Sequence, residues 1–156
     1  MIDRFGNALL CDFGFSRICH EVTRTLTTIR EGGRSRFMAP ELLDGEVKFR
    51  TTPASDIFSL SMVFLSIWAG KTPFAELARR QKVEAAVRKG QRPEKPAVHI
   101  DLPPEMEQEF WLLITKMWAH DPASRPPSDD MRIQLEAIFA PLLEQHKLTQ
   151  PEISDA

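Results

Sequence analysis

Two short acidic motifs flank a stretch that is rich in threonine and arginine. Asp12-Phe13-Gly14 follows a short apolar run, and Ala39-Pro40-Glu41 closes the stretch. The residues between them, 15–38, show neither a helical nor a strand period. Phosphate added to a hydroxyl group can order such a loop against nearby arginines. Residue types and spacing therefore fit two interpretations, a loop switched by phosphorylation and a solvated polar loop.

The hydroxyl and guanidinium groups of this loop are its candidates for phosphate chemistry. The hydroxyl residues include Thr23, Thr25, Thr27, Thr28 and Ser35, and the arginines are Arg17, Arg24, Arg30, Arg34 and Arg36. A loop of this length inside a compact domain is usually functional or disordered. Taken alone, Asp12 is equally well explained as a carboxylate that ends a strand and bonds its own turn.

Composition limits the class of protein. The 156 residues include 42% hydrophobic and 27% charged residues, which indicates one globular domain or a piece of one. A net charge of −2 gives no electrostatic case for nucleic acid or a membrane surface as a partner. Two cysteines, Cys11 and Cys19, favour a reducing, cytoplasmic location without disulfides. Cys19-His20 has no neighbours at the spacing of a zinc site.

The elements around the loop differ on its two sides. Residues 1–11 predict a short β-hairpin that ends at Asp12. Thr52-Pro53 is typical of a helix start, and Gly70 is typical of a helix end. Apolar residues cover every side of that segment, which predicts a helix buried in the core.

Three further helices are predicted towards the C-terminus. The first spans about 75–89 and stops at Gly90, and a proline-rich extended connection follows over 91–104. Apolar residues with helical spacing mark the second, from Met106 to Met117. Ser128 is predicted to cap the third, and Pro141 is predicted to end or kink it.

The order of these motifs resembles the C-terminal lobe of protein kinases, over roughly residues 1–140. The sequence between and after these motifs adds to the resemblance, which is closest to the tyrosine-kinase-like group. It includes Ser55-Asp56-Ile57-Phe58-Ser59-Leu60-Ser61, Thr72-Pro73-Phe74, Arg92-Pro93, Trp118-Ala119-His120-Asp121-Pro122 and Arg125-Pro126. The implied fold is mainly α, a kinase-like C-terminal lobe with a short N-terminal β-hairpin, without the N-terminal lobe and catalytic loop. It places an activation segment at 12–41, a helical lobe at 42–140 and a tail at 141–156.

The resemblance also implies roles for single residues at the start of the activation segment. Asp12 would coordinate the Mg²⁺ ion that bridges the ATP phosphates. Phe13 would pack between the lobes, and Gly14 would give the backbone the freedom to switch. Cys11 is a packing residue in this interpretation.

A second group of residues would hold the segment and the catalytic loop in place. Glu41, in the motif with Ala39 and Pro40, would pair with Arg125, and Asp56 would hold the backbone of the catalytic loop. The alternatives are unrelated surface charges for the pair, and a favourable interaction with a helix dipole for Asp56.

This sequence departs from the family pattern in three ways. Where many kinases have a threonine just after the glycine of the loop, Gly33 is followed by Arg34 and then Ser35, so Ser35 is the only nearby hydroxyl. Ser61 stands where the family usually has glycine, and the chain has no tyrosine.

The family's remaining catalytic groups precede the Asp-Phe-Gly motif. They are the Gly-rich loop, the strand lysine, the catalytic Asp and the Mg²⁺-binding Asn, and residues 1–11 hold none of them. The expected function is ATP-dependent phosphorylation of protein Ser/Thr hydroxyls by a full-length form, with this chain inactive alone and binding neither ATP nor Mg²⁺ tightly. The alternative is a non-catalytic, pseudokinase-like module that binds a partner protein. Either way, apolar surface on the central helix is expected to be bare.

Overall fold

The part of the chain that the structure describes is built from helices. The computed structural model describes residues 4, 9, 34–43, 51–97 and 102–149, with side chains as far as Gln145. Its helices are α1 (Pro40–Leu43), α2 (Pro53–Ala69), α3 (Arg80–Arg88), α4 (Pro104–Met117) and α5 (Ser128–Thr149), with 3-10 turns at Arg34–Arg36 and Pro122–Ser124. No strand occurs within these ranges, so the mainly helical fold is confirmed there. The predicted hairpin at 1–11 lies outside the described residues.

Helix α2 is the centre of the core. Thr52 and Ser55 form a capping box, in which each backbone N–H donates to the other side-chain oxygen at 2.9 and 3.1 Å. Pro53 opens the helix, and Gly70 ends it with a left-handed φ of 63°. Phe58 and Met62 are fully buried. Both predicted ends of this helix are confirmed. Its burial is confirmed on one face only, because Val63 and Ile67 are exposed.

Helix α3 begins five residues later than the sequence predicts. The predicted start at Ala75 falls in a turn over 73–76, and α3 begins only at Arg80. Phe74, at the centre of this turn, has a φ of 54°. That value lies in the left-handed region, which a bulky residue rarely adopts and which no α-helix contains. The apolar periodicity of 75–89 carries no sign of that turn.

Helices α4 and α5 pack on α2 through aromatic side chains. The Phe110 ring lies 5.4 Å from that of Trp68 and 5.1 Å from that of Phe139, between ring centroids. Such tilted and edge-to-face ring pairs stabilise the packing beyond the effect of the apolar area that they bury. The extended connection predicted at 91–104 is observed over 91–97, and Lys95 ties it to Glu107 of α4 at 2.8 Å.

Helix α5 continues past Pro141, so the proline does not end the helix, and the predicted alternative of a kink stays a prediction. The helix runs to Thr149, although Pro141 has no N–H to donate to the preceding turn. Leu142 packs against the core directly after the proline. Leu143, the next residue, is 52% exposed, so the packing directly beyond Pro141 involves Leu142.

Candidate functional site

The exit of the 34–43 segment is joined to the C-terminal helices by a buried arginine. The Arg125 side chain is fully buried, and its two terminal nitrogens donate to the Glu41 carboxylate at 2.7 and 2.8 Å. The other donors reach carbonyl oxygens of Ala119 at 2.9 Å, Ala54 at 2.9 Å and His120 at 3.3 Å. A guanidinium has five N–H groups, so every donor of Arg125 is used. We call Glu41, Arg125 and these three carbonyls the Arg125 junction.

A short turn presents Arg125 to this junction. The Asp121 carboxylate accepts a hydrogen bond from the Ala123 backbone N–H at 3.0 Å and so caps the turn at Pro122–Ser124. Arg125 follows with an extended backbone, and its N–H donates to the Pro122 carbonyl at 3.3 Å. Local turn chemistry therefore fixes the backbone from which the guanidinium reaches back to α1 and α2.

A second arginine shares an aromatic ring with the first. The guanidinium carbons of Arg92 and Arg125 lie 5.0 and 5.1 Å from the centroid of the Phe58 ring, within the range of a cation–π contact. Arg92 also donates to the Trp118 carbonyl at 3.0 Å. Burial lowers the pKa of Arg92, the charge of Arg125 lowers it further, and Glu41 acts in the opposite direction. The Glu41 carboxylate thus compensates the charge of two neighbouring guanidinium groups.

Asp56 lies in the first turn of α2 but differs from the residues of the junction. Asp56 is exposed, and its carboxylate contacts no charged or hydrogen-bonding partner within the described ranges. Partial desolvation by the surrounding protein raises the pKa of Asp56 above its ordinary value. The role expected for it, holding the backbone of a catalytic loop, stays a prediction.

The structure places only part of the predicted activation segment. Ala39 and Pro40 are buried, and Ser35 is 7% exposed, so a modifying enzyme would reach its hydroxyl only after local opening. The remaining predicted residues lie outside the described residues: Asp12, Phe13, Gly14, Thr23, Thr25, Thr27 and Thr28. Their roles stay predictions.

Sequence reasoning missed two contacts that hold the same segment. The Arg36 guanidinium donates to the carbonyls of the 73–77 turn, and that of Arg88, on α3, donates to the Leu43 carbonyl. The acceptors are backbone oxygens, which every residue type carries. A partner residue could therefore not be found by scanning the sequence for opposite charge.

The described ranges contain no group of three or more His, Cys, Asp or Glu residues arranged to hold a metal ion. They also contain no helix that is both long and apolar enough to cross a membrane. What these ranges show is a set of arginine hydrogen bonds that anchor the 34–43 segment.

Comparison with known proteins defines the class. The family model for the protein kinase domain matches residues 1–134. The chain belongs to the protein kinase family.

Particular relatives carry the names of serine/threonine or dual-specificity kinases. The chain is 27% identical over 140 residues to the probable serine/threonine-protein kinase gdt4 of Dictyostelium discoideum, covering 90% of this chain and 8% of that protein. It is 29% identical to the dual specificity protein kinase pyk3 of Dictyostelium discoideum, covering 93% of this chain and 10% of the relative. It is also 29% identical to the serine/threonine-protein kinase STY17 of Arabidopsis thaliana, covering 81% of this chain and 20% of the relative. The chain thus spans at most a fifth of these relatives.

Proposed function

We propose that this chain is the helical C-terminal part of a serine/threonine protein kinase domain of the tyrosine-kinase-like group. In a full-length form, that domain transfers the terminal phosphoryl group of ATP to hydroxyl groups of proteins inside the cell. The single observation that supports this most strongly is the Arg125 junction. It anchors Glu41, the last residue of the motif that closes a kinase activation segment, to the turn before α5.

In this proposal the chain's own residues divide into support and chemistry. Glu41 and Arg125 hold the exit of the activation segment, with Ala39 and Pro40 packed beside them, and Asp56 holds the catalytic loop. Asp12 is the carboxylate that fits Mg²⁺, a hard cation that prefers oxygen ligands. Bound Mg²⁺ and ATP would supply the reacting phosphate and neutralise its charge. The loop threonines Thr23, Thr25, Thr27 and Thr28 are the proposed positions for regulatory phosphate, and the buried Ser35 is the hydroxyl nearest to the family's usual threonine position.

The 156-residue chain by itself is proposed to be inactive. Phosphoryl transfer depends on positioning and electrostatic stabilisation. Among these residues, only Asp12 matches a catalytic group of the family, and no lysine, catalytic aspartate or asparagine precedes it at the family's spacing. We therefore expect no tight binding of ATP or Mg²⁺ by the chain alone.

The test is an assay of phosphoryl transfer to a generic protein substrate, run on the 156-residue chain and its Asp12→Ala variant. Equal background from both is expected. Turnover by the unmodified chain above that of the variant would show that the chain alone is a catalyst. Mapping the 5′ end of the transcript tests the other half of the proposal, because an in-frame His-x-Asp and Asn upstream would supply the missing groups.

The alternative function is a non-catalytic module that binds a partner protein, and one observation favours it. An apolar groove of about 420 Å³ lies between α2, α4 and α5, and Ile67, at 60% exposure, lines it with Phe139 and Leu143. The buried Trp68, which also lines the groove, has an indole N–H with no hydrogen-bond partner within the described ranges. This is apolar surface of the kind that the sequence predicts on α2.

A fluorescent dye that binds apolar surface tests whether this groove is open in solution. Ile67→Glu should lower dye binding, because it places a charge in the groove. Ile133→Glu is the matched control, since Ile133 is 56% exposed on α5 and does not line the groove. Equal dye binding by both variants would count against an open groove.

A further inference from the structure

Arg36 makes a contact that neither the family motifs nor the Arg125 junction accounts for. It lies at the end of the 3-10 turn at Arg34–Arg36, three residues before the Ala-Pro-Glu motif. One terminal nitrogen donates to the Pro73 carbonyl at 2.9 Å and also to the Phe74 carbonyl, and the other donates to the Leu77 carbonyl at 2.7 Å. A single side chain thus joins the segment to three carbonyls about 40 residues away.

The turn that receives Arg36 has an unusual backbone. Phe74 has a φ of 54°, and its side chain is 3% exposed. Its carbonyl also accepts the Leu77 backbone N–H at 2.9 Å. A bulky residue stays in the left-handed region only when its surroundings hold it there. The fork of Arg36 supplies that constraint on the polar side, and burial of the Phe74 ring supplies it on the apolar side.

A separate arginine holds the other end of the segment. Arg88, in the last turn of α3, donates to the Leu43 carbonyl at the end of α1. The turn that Arg36 contacts leads into α3, and Arg88 is the last residue of α3. Loss of Arg36 should therefore loosen residues 34–39 and the 73–77 turn, while Arg88 and Arg125 still hold residues 41–43.

We propose that Arg36 is a positioning residue that locks the segment before Ala39 to the 73–77 turn, so that local opening of either segment is coupled to opening of the other. This inference goes beyond the proposed function and does not depend on it. Arg36 acts through backbone carbonyls and contacts no reacting group. Linkage makes the coupling reciprocal, so a protein that binds the turn also orders the segment.

The test is hydrogen–deuterium exchange of the 156-residue chain and its Arg36→Ala and Arg36→Lys variants. In both variants, the amides of 34–39 and 74–78 should exchange at least about tenfold faster, because the Arg36 hydrogen bonds that restrain local opening are lost. Arg36→Lys should not restore protection, since one ammonium cannot reproduce a planar fork that reaches carbonyls from two nitrogens. Arg132→Ala is the matched control, because that arginine is exposed and pairs only within α5.

Three results would overturn the proposal: no change in exchange at the two segments, full protection in Arg36→Lys, or an equal acceleration throughout α2, α4 and α5. If Arg36→Ala fails to fold by circular dichroism, Arg36→Lys decides, because it keeps the charge and the aliphatic stem. Exchange does not depend on phosphoryl transfer. The exchange result can therefore be interpreted whatever the kinase assay shows. Unchanged exchange in the Arg36 variants would contradict the role of Arg36 without contradicting the proposed kinase function.

Discussion

Two carboxylates to which the kinase resemblance gives supporting roles, Glu41 on α1 and Asp56 on α2, have different surroundings in the structure. Glu41 reaches the Arg125 junction, where a fully buried guanidinium binds it and also the Ala54 carbonyl of α2. Asp56, two residues beyond Ala54, is exposed and has a raised pKa. A carboxylate that has its cation stabilises the described part of the chain. A carboxylate without one contributes no comparable stability there, so any function of Asp56 depends on a partner outside these ranges.

The largest expected effect is the loss of the junction. Arg125→Ala should lower the free energy of unfolding by about 3–5 kcal/mol, because it leaves Glu41 without its cation and five acceptors without their donors. Chemical denaturation followed by circular dichroism measures this. Arg132→Ala, which removes an exposed i,i+4 pair with Glu136, should cost less than about 1 kcal/mol. Similar losses in the two variants would contradict a special role for the junction.

The capping box tests how much the start of α2, which carries Ala54 and Asp56, contributes to the free energy of unfolding. Thr52→Ala should cost about 0.5–2 kcal/mol, because it removes the side-chain acceptor of the Ser55 N–H. Thr51→Ala is the matched control, since Thr51 is exposed and lies just outside the helix. Thermal unfolding of both variants separates the two positions. A loss in the control as large as in Thr52→Ala would show that the cap does not determine the stability.

Asp56 should give the smallest effect, with the opposite sign. Because its folded-state pKa is raised, the native chain binds this proton more readily than the unfolded chain does. The free energy of unfolding that Asp56 contributes therefore falls as the pH rises from the unfolded pKa, about 3.9, through the raised native value. Asp56→Asn should leave stability at neutral pH unchanged or slightly higher, and its difference from the unmodified chain should vanish in acid.

The control for Asp56 is Asp129→Asn, in the first turn of α5. It removes a carboxylate that the helix dipole favours, at an expected cost of about 0.3–1 kcal/mol. Stability curves against pH compare the two variants. If Asp56→Asn loses as much stability as Asp129→Asn at neutral pH, the helix dipole outweighs desolvation at Asp56, and both Asp56 and Glu41 stabilise the fold.

The sequence predicted those features that local chemistry determines. Thr52, Pro53 and Gly70 act within one turn of their own positions, so the ends of α2 were found correctly. Glu41 and Arg125 lie 84 residues apart and could be matched only through the kinase resemblance. No local signal links two such charges.

The features that were missed depend on tertiary contacts. The predicted start of α3 was wrong because a buried Phe74 and the Arg36 fork hold a left-handed turn there. Of the two outcomes predicted at Pro141, an end and a kink, the end does not occur, and Leu142 is packed against the core beyond the proline. In each case, packing outweighed a residue's local preference, and a helical period does not encode packing.

A double-mutant cycle between Glu41 and Arg125 tests the central claim most directly. The free energies of unfolding of Glu41→Ala, Arg125→Ala and the double variant give the coupling between the two side chains. A junction that joins the segment to the C-terminal helices predicts a coupling of about 1.5–3 kcal/mol, with the double variant little worse than Arg125→Ala. Additive losses, with a coupling near zero, would contradict the account.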